Sequence, residues 1–331
     1  MEKDFYKNKI ILVTGGAGSI GSQIVKALLE KGAKTVRVLD NNETGLFELG
    51  HQIDSPKLRL FVGDIRDKAR LLRACQDVDI VFHAAALKHV PLCEYNPFEA
   101  VQTNVVGTQN LINAAIACNV GKVINISTDK AINPQSVMGA TKLLTEKLVT
   151  AANFQQGKAR TIFASVRFGN VLNSKGSIVP LIRELIKIGK PITITDPEMT
   201  RFIMEIKQAV DLVLTAAQNA KGGEVFILKM PKVRMGDLID CAIEKFCQET
   251  GKKYPTKKII GPRPGEKFYE ELLTEEEAEI VASLPEMFVL PARGETKFKA
   301  KKGQKAPFQD YHSRHGTILS KEEIKKILSK I

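Results

Sequence analysis

A run of polar side chains that can exchange protons follows a short apolar segment near the middle of the chain. The segment Val123–Ile126 is followed directly by Ser127-Thr128-Asp129-Lys130. A carboxyl group beside an amine can supply a general acid and a general base, and the Thr128 hydroxyl adds a hydrogen-bonding group. We therefore predict catalytic roles for Thr128, Asp129 and Lys130. The alternative is that Asp129 and Lys130 form a solvent-exposed pair on a surface loop.

A glycine-rich turn near the amino terminus predicts a dinucleotide site. The turn comes after an apolar run and at the mouth of a helical pattern, and its sequence is Thr14-Gly15-Gly16-Ala17-Gly18-Ser19-Ile20-Gly21. The spacing of Gly15, Gly18 and Gly21 permits a tight turn in which backbone N–H groups and the helix dipole meet a pyrophosphate. We assign the three glycines, together with Ser19 and Ile20, to cofactor binding.

Acidic and small residues at the ends of later strands specify the cofactor further. Asp40 falls at the end of the second predicted strand, where a carboxylate binds a ribose 2′-hydroxyl and repels a 2′-phosphate. This position favours NAD over NADP; the alternative for Asp40 is an N-cap of the following helix. Asp64 and Ile65 follow the third strand and are placed against adenine. Ala84 and Ala85 follow the fourth and allow the close approach of a dinucleotide.

Short apolar runs rich in Ile and Val alternate with helical patterns in the first half of the chain. This alternation predicts an α/β fold with a doubly wound parallel sheet of the Rossmann type. We predict a cofactor-binding domain over residues 1–170 and a smaller, mainly substrate-binding domain over residues 171–331, with some of its segments returning to the sheet. The predicted strands are Ile10–Val13, Val36–Leu39, Leu58–Val62, Ile80–His83, Val123–Ile126 and Ile162–Val166, and the predicted helices include Gly21–Glu30, Pro97–Cys118 and Met235–Thr250.

The composition narrows the possible partners and the location of the protein. The formal net charge is +12, which we assign to a lysine-rich solvated surface because base-stacking aromatics are few, so nucleic acid is not predicted. Five cysteines lack a CxxC pair and the five histidines lack metal-ligand spacing, so no metal is predicted. No apolar stretch reaches the length of a membrane span and the first residues lack a signal peptide, which indicates a cytoplasmic protein.

Several longer motifs carry a family resemblance. The chain resembles an extended short-chain dehydrogenase/reductase, and more narrowly it is similar to the nucleotide-sugar 4,6-dehydratases that act on UDP-N-acetylglucosamine. The segments that carry this resemblance are Ala86-Leu87-Lys88-His89-Val90-Pro91, Ser127-Thr128-Asp129-Lys130-Ala131, Arg167-Phe168-Gly169-Asn170-Val171-Leu172, Met199-Thr200-Arg201-Phe202 and Arg263-Pro264-Gly265-Glu266-Lys267.

The resemblance assigns roles around the nicotinamide and exposes one departure. Met138 stands where the superfamily has its catalytic tyrosine, and a thioether cannot exchange a proton. Lys142 holds the nicotinamide ribose, Asp129 is the general acid and Lys130 the general base. Thr128, Asp129 or a water takes the proton of the C4 hydroxyl. We expect Lys142 and the cationic nicotinamide to lower the pKa of Lys130, and Met138 to pack against the sugar or nicotinamide, or in the core.

The resemblance also implies a substrate site and an assembly. Asn104 is assigned to the cofactor site, where it orders the region after the fourth strand near Lys142. A homo-oligomer is expected to pair through two apolar helical segments, Pro97–Cys118 and Val137–Ala152. The residues assigned to the UDP-sugar are Lys88, Asn170, Arg201, Arg263 and Glu266.

Three functions are compatible with this reading. The first is NAD-dependent 4,6-dehydration of UDP-N-acetylglucosamine. The second is a C4 epimerase or reductase on the same scaffold, against which the Asp129-Lys130 pair argues, since neither reaction needs an acid and a base for C5 and C6. The third is a catalytically silent NAD-binding regulator, which the lost tyrosine would permit and the retained Lys142 opposes.

Overall fold

The computed structural model describes residues 4–292 and 306–331, so part of the predicted second domain, residues 293–305, lies outside the described residues. Within them, nine strands form one large sheet in the order β13-β14-β10-β6-β5-β4-β1-β2-β3. These strands are β1 (Ile10–Thr14), β2 (Thr35–Asp40), β3 (Leu58–Val62), β4 (Ile80–His83), β5 (Lys122–Ile126), β6 (Ile162–Arg167), β10 (Val225–Leu228), β13 (Ala282–Ser283) and β14 (Met287–Leu290).

Two smaller sheets lie in the second half of the chain. A three-stranded sheet has the order β11-β9-β7 and a two-stranded sheet pairs β12 with β8. Their strands are β7 (Asn170–Val171), β8 (Ile192–Ile194), β9 (Thr200–Met204), β11 (Lys232–Arg234) and β12 (Lys257–Ile259).

The helices alternate with the strands in the first half, as a parallel sheet requires. They are α1 (Ser19–Glu30), α2 (Glu43–Gln52), α3 (Lys68–Cys75), α4 (Val90–Tyr95), α5 (Pro97–Ala100), α6 (Gly107–Ala117), α7 (Val137–Gln155), α8 (Ile178–Lys187), α9 (Ile206–Asn219), α10 (Met235–Thr250), α11 (Glu275–Ile280), α12 (Phe308–Tyr311) and α13 (Lys321–Leu328). Among the described residues, no helix has the length and apolar character needed to cross a membrane.

Helices cover both faces of the large sheet. Side chains of α1 and α9, such as Val25 and Val213, are buried against one face. Side chains of α3, α6 and α7, such as Leu71, Leu111 and Val149, are buried against the other. The predicted doubly wound α/β fold is therefore confirmed. β1 pairs in parallel with both β2 and β4, so the strand order reverses there and a crevice opens at the carboxyl ends of the strands.

All six predicted strands are present, but two details differ from the prediction. Leu58–Val62 is an edge strand, and Leu60 and Val62 are 41% and 54% exposed instead of buried. The predicted single helix Pro97–Cys118 is divided into α5, a π-helical turn at Val101–Val106 and α6. Such π turns accommodate an inserted residue and are common at functional sites.

Strands from beyond residue 170 join the large sheet. β10 pairs in parallel with β6, while β14 pairs antiparallel with β10 and β13. The chain thus returns to the first sheet after forming β7, β8 and β9. The domain boundary at residue 170 stays a prediction.

A buried ion pair joins the first sheet to the later part of the chain. Arg167, at the end of β6, donates from Nη2 to Glu146 of α7 at 2.7 Å and from Nη1 to Glu277 of α11 at 2.7 Å. Its Nη1 also donates to the carbonyl of Leu272 at 2.8 Å. Removing one partner from such a buried pair typically costs about 3–5 kcal/mol, because the remaining charge stays buried. Arg167 therefore fixes the segment that contains Leu272 and Glu277 against the carboxyl edge of the sheet.

Candidate functional site

A cavity of about 760 Å³ opens at the carboxyl ends of the parallel strands. This volume lies in the usual range for a small-molecule site, about 300–1,000 Å³. Its wall combines loops that follow the first six strands with segments from the second half of the chain. Most of the predicted site residues share this wall, namely Gly15, Gly18, Ser19, Ile20, Gly21, Asp40, Asp64, Ile65, Ala84, Ala85, Lys88, Thr128, Lys130, Met138, Lys142, Asn170, Arg201, Arg263 and Glu266.

The glycine turn has the geometry that a dinucleotide needs. Gly15 has φ +68°, and a Cβ there would lie 2.5 Å from the backbone nitrogen of Ala85. Only glycine fits so close to the loop after β4. Within the described part of the chain, no side chain caps α1, which begins after Gly18, and its first residues Ser19, Ile20 and Gly21 line the cavity. An uncapped helix start is a suitable site for a pyrophosphate.

Asp40 connects the glycine turn to the end of β2. Its carboxylate accepts hydrogen bonds from the backbone nitrogens of Ala17 and Asn42, each at 3.0 Å. The N-cap of α2 is Asn42, whose side chain accepts from Gly45, so the alternative role of Asp40 as a helix cap is wrong. Asp64 lies nearby and is paired with Arg66 at 2.7 Å. The hydrogen bond from Arg66 lowers the pKa of Asp64 and keeps that carboxyl ionised.

Asn104 lies behind the cavity wall, in the π-helical turn. Its Oδ1 accepts from the backbone nitrogen of Leu87 at 2.8 Å, and its Nδ2 donates to the Leu87 carbonyl and to Thr141 Oγ1. One buried amide thus connects the loop after β4 to α7, which carries Lys142. Lys142 Nζ donates to the Ile126 carbonyl at 2.8 Å, and burial lowers the pKa of this lysine to about 8.

The Asp129–Ala131 segment forms a 3-10 turn against α7. Gly139 of α7 makes this contact possible, since a Cβ there would lie 2.3 Å from the Lys130 carbonyl oxygen. The turn directs the Lys130 side chain, 24% exposed, into the cavity. Asp129 is fully buried behind it. Thr128 Oγ1, on the cavity wall, donates to Asp129 Oδ1 at 3.0 Å and provides a hydroxyl connection between that carboxyl and the cavity.

The Lys130 amine contacts two carboxylates. Lys130 Nζ lies 2.9 Å from Asp129 Oδ1 and 3.3 Å from Glu270 Oε1, and it also donates to Asn170 Oδ1 at 3.2 Å. Burial alone lowers the pKa of Lys130, but the attraction of Asp129 and Glu270 outweighs burial and the net pKa is raised. The expectation of a lowered pKa for Lys130 is therefore wrong, because two anions contact the amine.

Glu270 is a site residue that sequence reasoning missed. Its side chain is 2% exposed and it lines the cavity beside Lys130. In the sequence it belongs to Tyr269-Glu270-Glu271-Leu272, which reads as an ordinary solvated stretch. The one feature of the sequence that could have indicated a site role for Glu270 is its position four residues after Glu266, which belongs to a recognised motif.

The predicted substrate residues lie at different depths. Lys88 and Arg263 are exposed at the cavity mouth, and Lys88 Nζ donates to the Lys175 carbonyl. Arg201 is buried, and its guanidinium donates to the carbonyls of Thr200, Phe268 and Lys267. Most of its donors therefore bind the protein itself. Glu266 accepts from Thr195 Oγ1 at 3.3 Å. The substrate roles stay predictions.

Met138 has both of the environments considered for it. The side chain is 3% exposed and packs with Cys93 and Ala100 in a small apolar cluster. It also forms part of the cavity wall. Within residues 4–292 and 306–331, no three His, Cys, Asp or Glu side chains are grouped in a way that could hold a metal ion.

Comparison with known proteins places the chain in a family. A family described as "Polysaccharide biosynthesis protein" matches residues 11–292. The chain belongs to this family. The resemblance to the dehydratase and epimerase branch of extended short-chain dehydrogenase/reductases is thereby confirmed.

Related proteins carry different names. An uncharacterized membrane protein of Methanocaldococcus jannaschii is 59% identical over 99% of this chain and 97% of its own length. A UDP-glucose 4-epimerase of Rickettsia rickettsii is 37% identical over 98% of this chain and 96% of its own. A UDP-N-acetylglucosamine 4,6-dehydratase (inverting) of Campylobacter jejuni is 42% identical over 83% of this chain and 80% of its own length. The chain is thus related to both dehydratases and 4-epimerases.

Solved structures agree with the fold. Pen from Bacillus thuringiensis superposes with a TM-score of 0.93 at 44% identity and covers 98% of both chains. A UDP-glucose 4-epimerase of Thermus thermophilus in complex with NAD has a TM-score of 0.67 at 25% identity over 78% of this chain and 88% of that one.

We predict that Asp40→Ala weakens NAD binding by about tenfold to a hundredfold, the usual effect of losing hydrogen bonds to a charged acceptor. It should also narrow the preference for NAD over NADP, because the repulsion of a 2′-phosphate disappears. Calorimetric titration with both cofactors measures this. Asp54→Ala, which removes an exposed carboxylate outside the cavity wall, is the control. A wild-type protein that prefers NADP contradicts the prediction.

Proposed function

We propose that the protein catalyses the NAD-dependent 4,6-dehydration of UDP-N-acetylglucosamine to a UDP-4-keto-6-deoxy-N-acetylhexosamine. The observation that carries this proposal is the Asp129-Lys130 pair beside the crevice, with Lys130 and Thr128 on the cavity wall. Dehydration across C5 and C6 needs an acid and a base at the sugar. The relation to the Campylobacter jejuni dehydratase supports the same choice.

The residues of the site can be assigned to the proposed reaction. Bound NAD would accept a hydride from C4 and return it to C6. The C4 ketone acidifies the C5 proton, which Lys130 removes from the cavity side. Asp129 supplies the proton for the departing C6 oxygen through Thr128, its contact with the cavity. Water is lost between C5 and C6, and the returned hydride and a proton complete the 6-deoxy product.

Cofactor and substrate would occupy different parts of the cavity. Gly15, the start of α1 and Asp40 suit the pyrophosphate and ribose of NAD, and Lys142 suits the nicotinamide ribose. The exposed cations Lys88 and Arg263 at the mouth suit the diphosphate of a UDP-sugar. We place the sugar over Thr128 and Lys130, between these two groups.

A C4 epimerase is the second candidate. It is favoured by the 37% identity to a Rickettsia rickettsii UDP-glucose 4-epimerase over nearly the whole chain. Epimerisation uses the same oxidation at C4 but needs no proton transfer at C5 or C6. A silent regulator, the third candidate, has no use for a lysine amine held between two carboxylates in the cavity wall.

Proton NMR of UDP-N-acetylglucosamine incubated with protein and NAD in heavy water separates the three candidates. A new C6 methyl signal is expected for the dehydratase. A change of the C4 proton from axial to equatorial instead indicates an epimerase, and an unchanged spectrum indicates a regulator or a different substrate.

We predict that Lys130→Met lowers kcat by at least about a hundredfold, because the base for C5 is lost. NAD affinity should stay within about threefold, since Lys130 is assigned to proton transfer. Lys130→Arg keeps the cation but cannot act as a base, and should be equally inactive. Lys187→Met, at an exposed position of α8, is the control for loss of a lysine. Product formation near the wild-type rate by either Lys130 variant removes this residue as the base.

Restoring the missing phenol tests whether the site is complete without it. Met138→Tyr should raise kcat by less than about tenfold, because proton transfers that already have partners gain little from another group. Met138→Leu, of similar volume, is the packing control. A gain of about a hundredfold or more would favour the regulator. Loss of activity in a folded variant shows that Met138 shapes the sugar site, in keeping with its position on the cavity wall.

We also propose a homo-oligomer formed by the α4, α5 and α7 side of the molecule. Tyr95, Phe98, Leu144 and Phe154 on these helices are 87%, 67%, 47% and 65% exposed. Sedimentation at micromolar concentration should show a dimer or larger species, and the double variant Phe98→Glu, Leu144→Glu should shift it toward monomer. Leu181→Glu, at an equally exposed leucine of α8, should have no effect. A monomeric wild type contradicts the proposal.

A further inference from the structure

Two buried carboxyl groups share one amine at the centre of the site. Asp129 is 0% and Glu270 is 2% exposed, and both contact Lys130 Nζ through one oxygen. The other oxygen of each, Asp129 Oδ2 and Glu270 Oε2, is buried and has no hydrogen-bond partner among the described residues. A buried carboxylate oxygen without a donor is costly. Each of these two carboxyl groups therefore has a free oxygen on which it can carry a proton.

The Asp129-Lys130 pair alone does not explain acid and base catalysis. In the ion pair the carboxylate has no proton to give and the ammonium has no lone pair to accept one. Asp129 cannot also take a proton from Lys130, because in the proposed reaction it already holds the C4 hydroxyl proton when the C5 proton is removed. Contact with two anions strengthens the ammonium form of Lys130 further. A third group has to take the proton that Lys130 carries.

We propose that Glu270 is that group: as Lys130 takes the C5 proton of the substrate, Lys130 passes one of its own protons to Glu270. The proposal rests on the proposed dehydration. Glu270 acts through Lys130, so it is a positioning residue in this reaction and not a catalytic one. The geometry that supports it is the 3.3 Å contact between Lys130 Nζ and Glu270 Oε1, together with the unpartnered second oxygen.

The protons balance around a complete cycle. When C4 is oxidised, its hydroxyl proton passes through Thr128 Oγ1 to Asp129, which becomes the acid. In the elimination the C5–H bond breaks, its proton goes to Lys130, and a Lys130 proton goes to Glu270. The electron pair left at C5 forms the C5–C6 double bond as the C6–O bond breaks. Asp129 returns its proton through Thr128 to the leaving oxygen, which departs as water.

The second half of the cycle restores the site. Hydride is returned to C6, C5 takes a proton from Lys130, and Glu270 gives its proton back to Lys130. Asp129 and Glu270 end as carboxylates and Lys130 as an ammonium ion, which is the ion pairing seen in the structure. No other proton donor is required, and the phenol that Met138 replaces has no remaining task.

The surroundings of Glu270 suit a temporary proton acceptor. Burial raises the pKa of Glu270 and the nearby Asp129 carboxylate raises it further, whereas Lys130, Arg201 and Lys267 oppose both effects. Arg201 Nε lies 3.9 Å from Glu270 Oε1. These cations favour the carboxylate at rest, while burial and Asp129 bring its proton affinity closer to that of Lys130.

The backbone around Glu270 is held independently of its side chain. The Glu270 nitrogen donates to Ser313 Oγ at 2.8 Å, and the Ser313 nitrogen donates to the Glu270 carbonyl at 2.9 Å. Ser313 Oγ also lies 3.0 Å from Thr200 Oγ1. Changes of the Glu270 side chain should therefore leave the segment in place.

Glu270→Gln and Glu270→Asp test the proposal, with Glu271→Gln as the control at the neighbouring glutamate. The rate of C6 methyl formation from UDP-N-acetylglucosamine is followed from pH 6 to pH 9 with saturating NAD. Glu270→Gln should keep KM and the affinity for NAD within about threefold but lower kcat at pH 7 by about a hundredfold. With substrate deuterated at C5, the kcat of Glu270→Gln should show a kinetic isotope effect. The kcat of Glu270→Asp should be at least about tenfold higher than that of Glu270→Gln. The kcat of Glu271→Gln should match that of the wild type.

The pH profile distinguishes a proton acceptor from a simple ion-pair partner. With the acceptor, wild-type kcat falls as pH is lowered through the raised pKa of Glu270, because a protonated Glu270 cannot accept. In Glu270→Gln the reaction needs a neutral Lys130, so kcat should rise with pH up to the pKa of that lysine. If Glu270 only stabilises the ammonium, its removal lowers the pKa of Lys130 and kcat at pH 7 stays the same or increases.

Three results would overturn the proposal. A Glu270→Gln variant that retains its rate at pH 7, beside an active wild type, overturns the proton transfer alone and leaves the dehydration standing. If that variant does not fold, a Glu270→Asp variant whose kcat is no higher than that of Lys130→Met has the same consequence. A wild type that forms no C6 methyl product overturns the dehydration and the proton transfer together.

Discussion

The guanidinium of Arg167 is fully buried between two glutamates from distant parts of the chain, and the site depends on this contact. Glu146 belongs to the helix that carries Met138 and Lys142, while Glu277 belongs to a segment more than a hundred residues later. Burial opposes the charge on Arg167, but both carboxylates together raise the pKa of its guanidinium. Because Arg167 also binds the Leu272 carbonyl, the chain between the last recognised motif and α11 has to pass the carboxyl edge of the large sheet.

That path determines the charge at the centre of the cavity. Glu270 is two residues before Leu272, and its backbone is held by Ser313 on the other side. The crevice of a doubly wound sheet provides a cofactor site by itself, but for chemistry at the sugar its loop after β5 provides Thr128 and Lys130 with a single carboxylate, Asp129. The second carboxylate, Glu270, comes from the later segment. The raised pKa of Lys130 therefore depends on a distant part of the chain as well as on the loop after β5.

The parts of this structure that the sequence predicts are those fixed by local physics. Strand runs, the glycine turn with Asp40, and the position of Thr128, Asp129 and Lys130 after β5 follow from periodicity and from the close approach that only glycine permits. The raised pKa of Lys130 does not follow, because Glu270 is 140 positions away in the sequence and no spacing relates them. The π-helical turn at Asn104 was missed for a similar reason, since it satisfies contacts with Leu87 and Thr141. The exposure of Leu60 depends on β3 being the edge strand, which composition cannot reveal.

Replacing a tyrosine by Met138 changes how an oxidation at C4 has to handle its proton. A phenol beside the nicotinamide can accept that proton directly, whereas a thioether packed against Cys93 and Ala100 cannot. In the proposed reaction the proton released at C4 equals the proton needed at the C6 oxygen, so a carboxyl that receives the first can supply the second. Asp129 lies behind Thr128, out of direct contact with the cavity, and is suited to hold a proton between these two steps. On this view, an epimerase on the same scaffold would store the C4 proton and return it to the same oxygen, and the added demand of the dehydratase is a base at C5 that two carboxylates and one lysine together can provide.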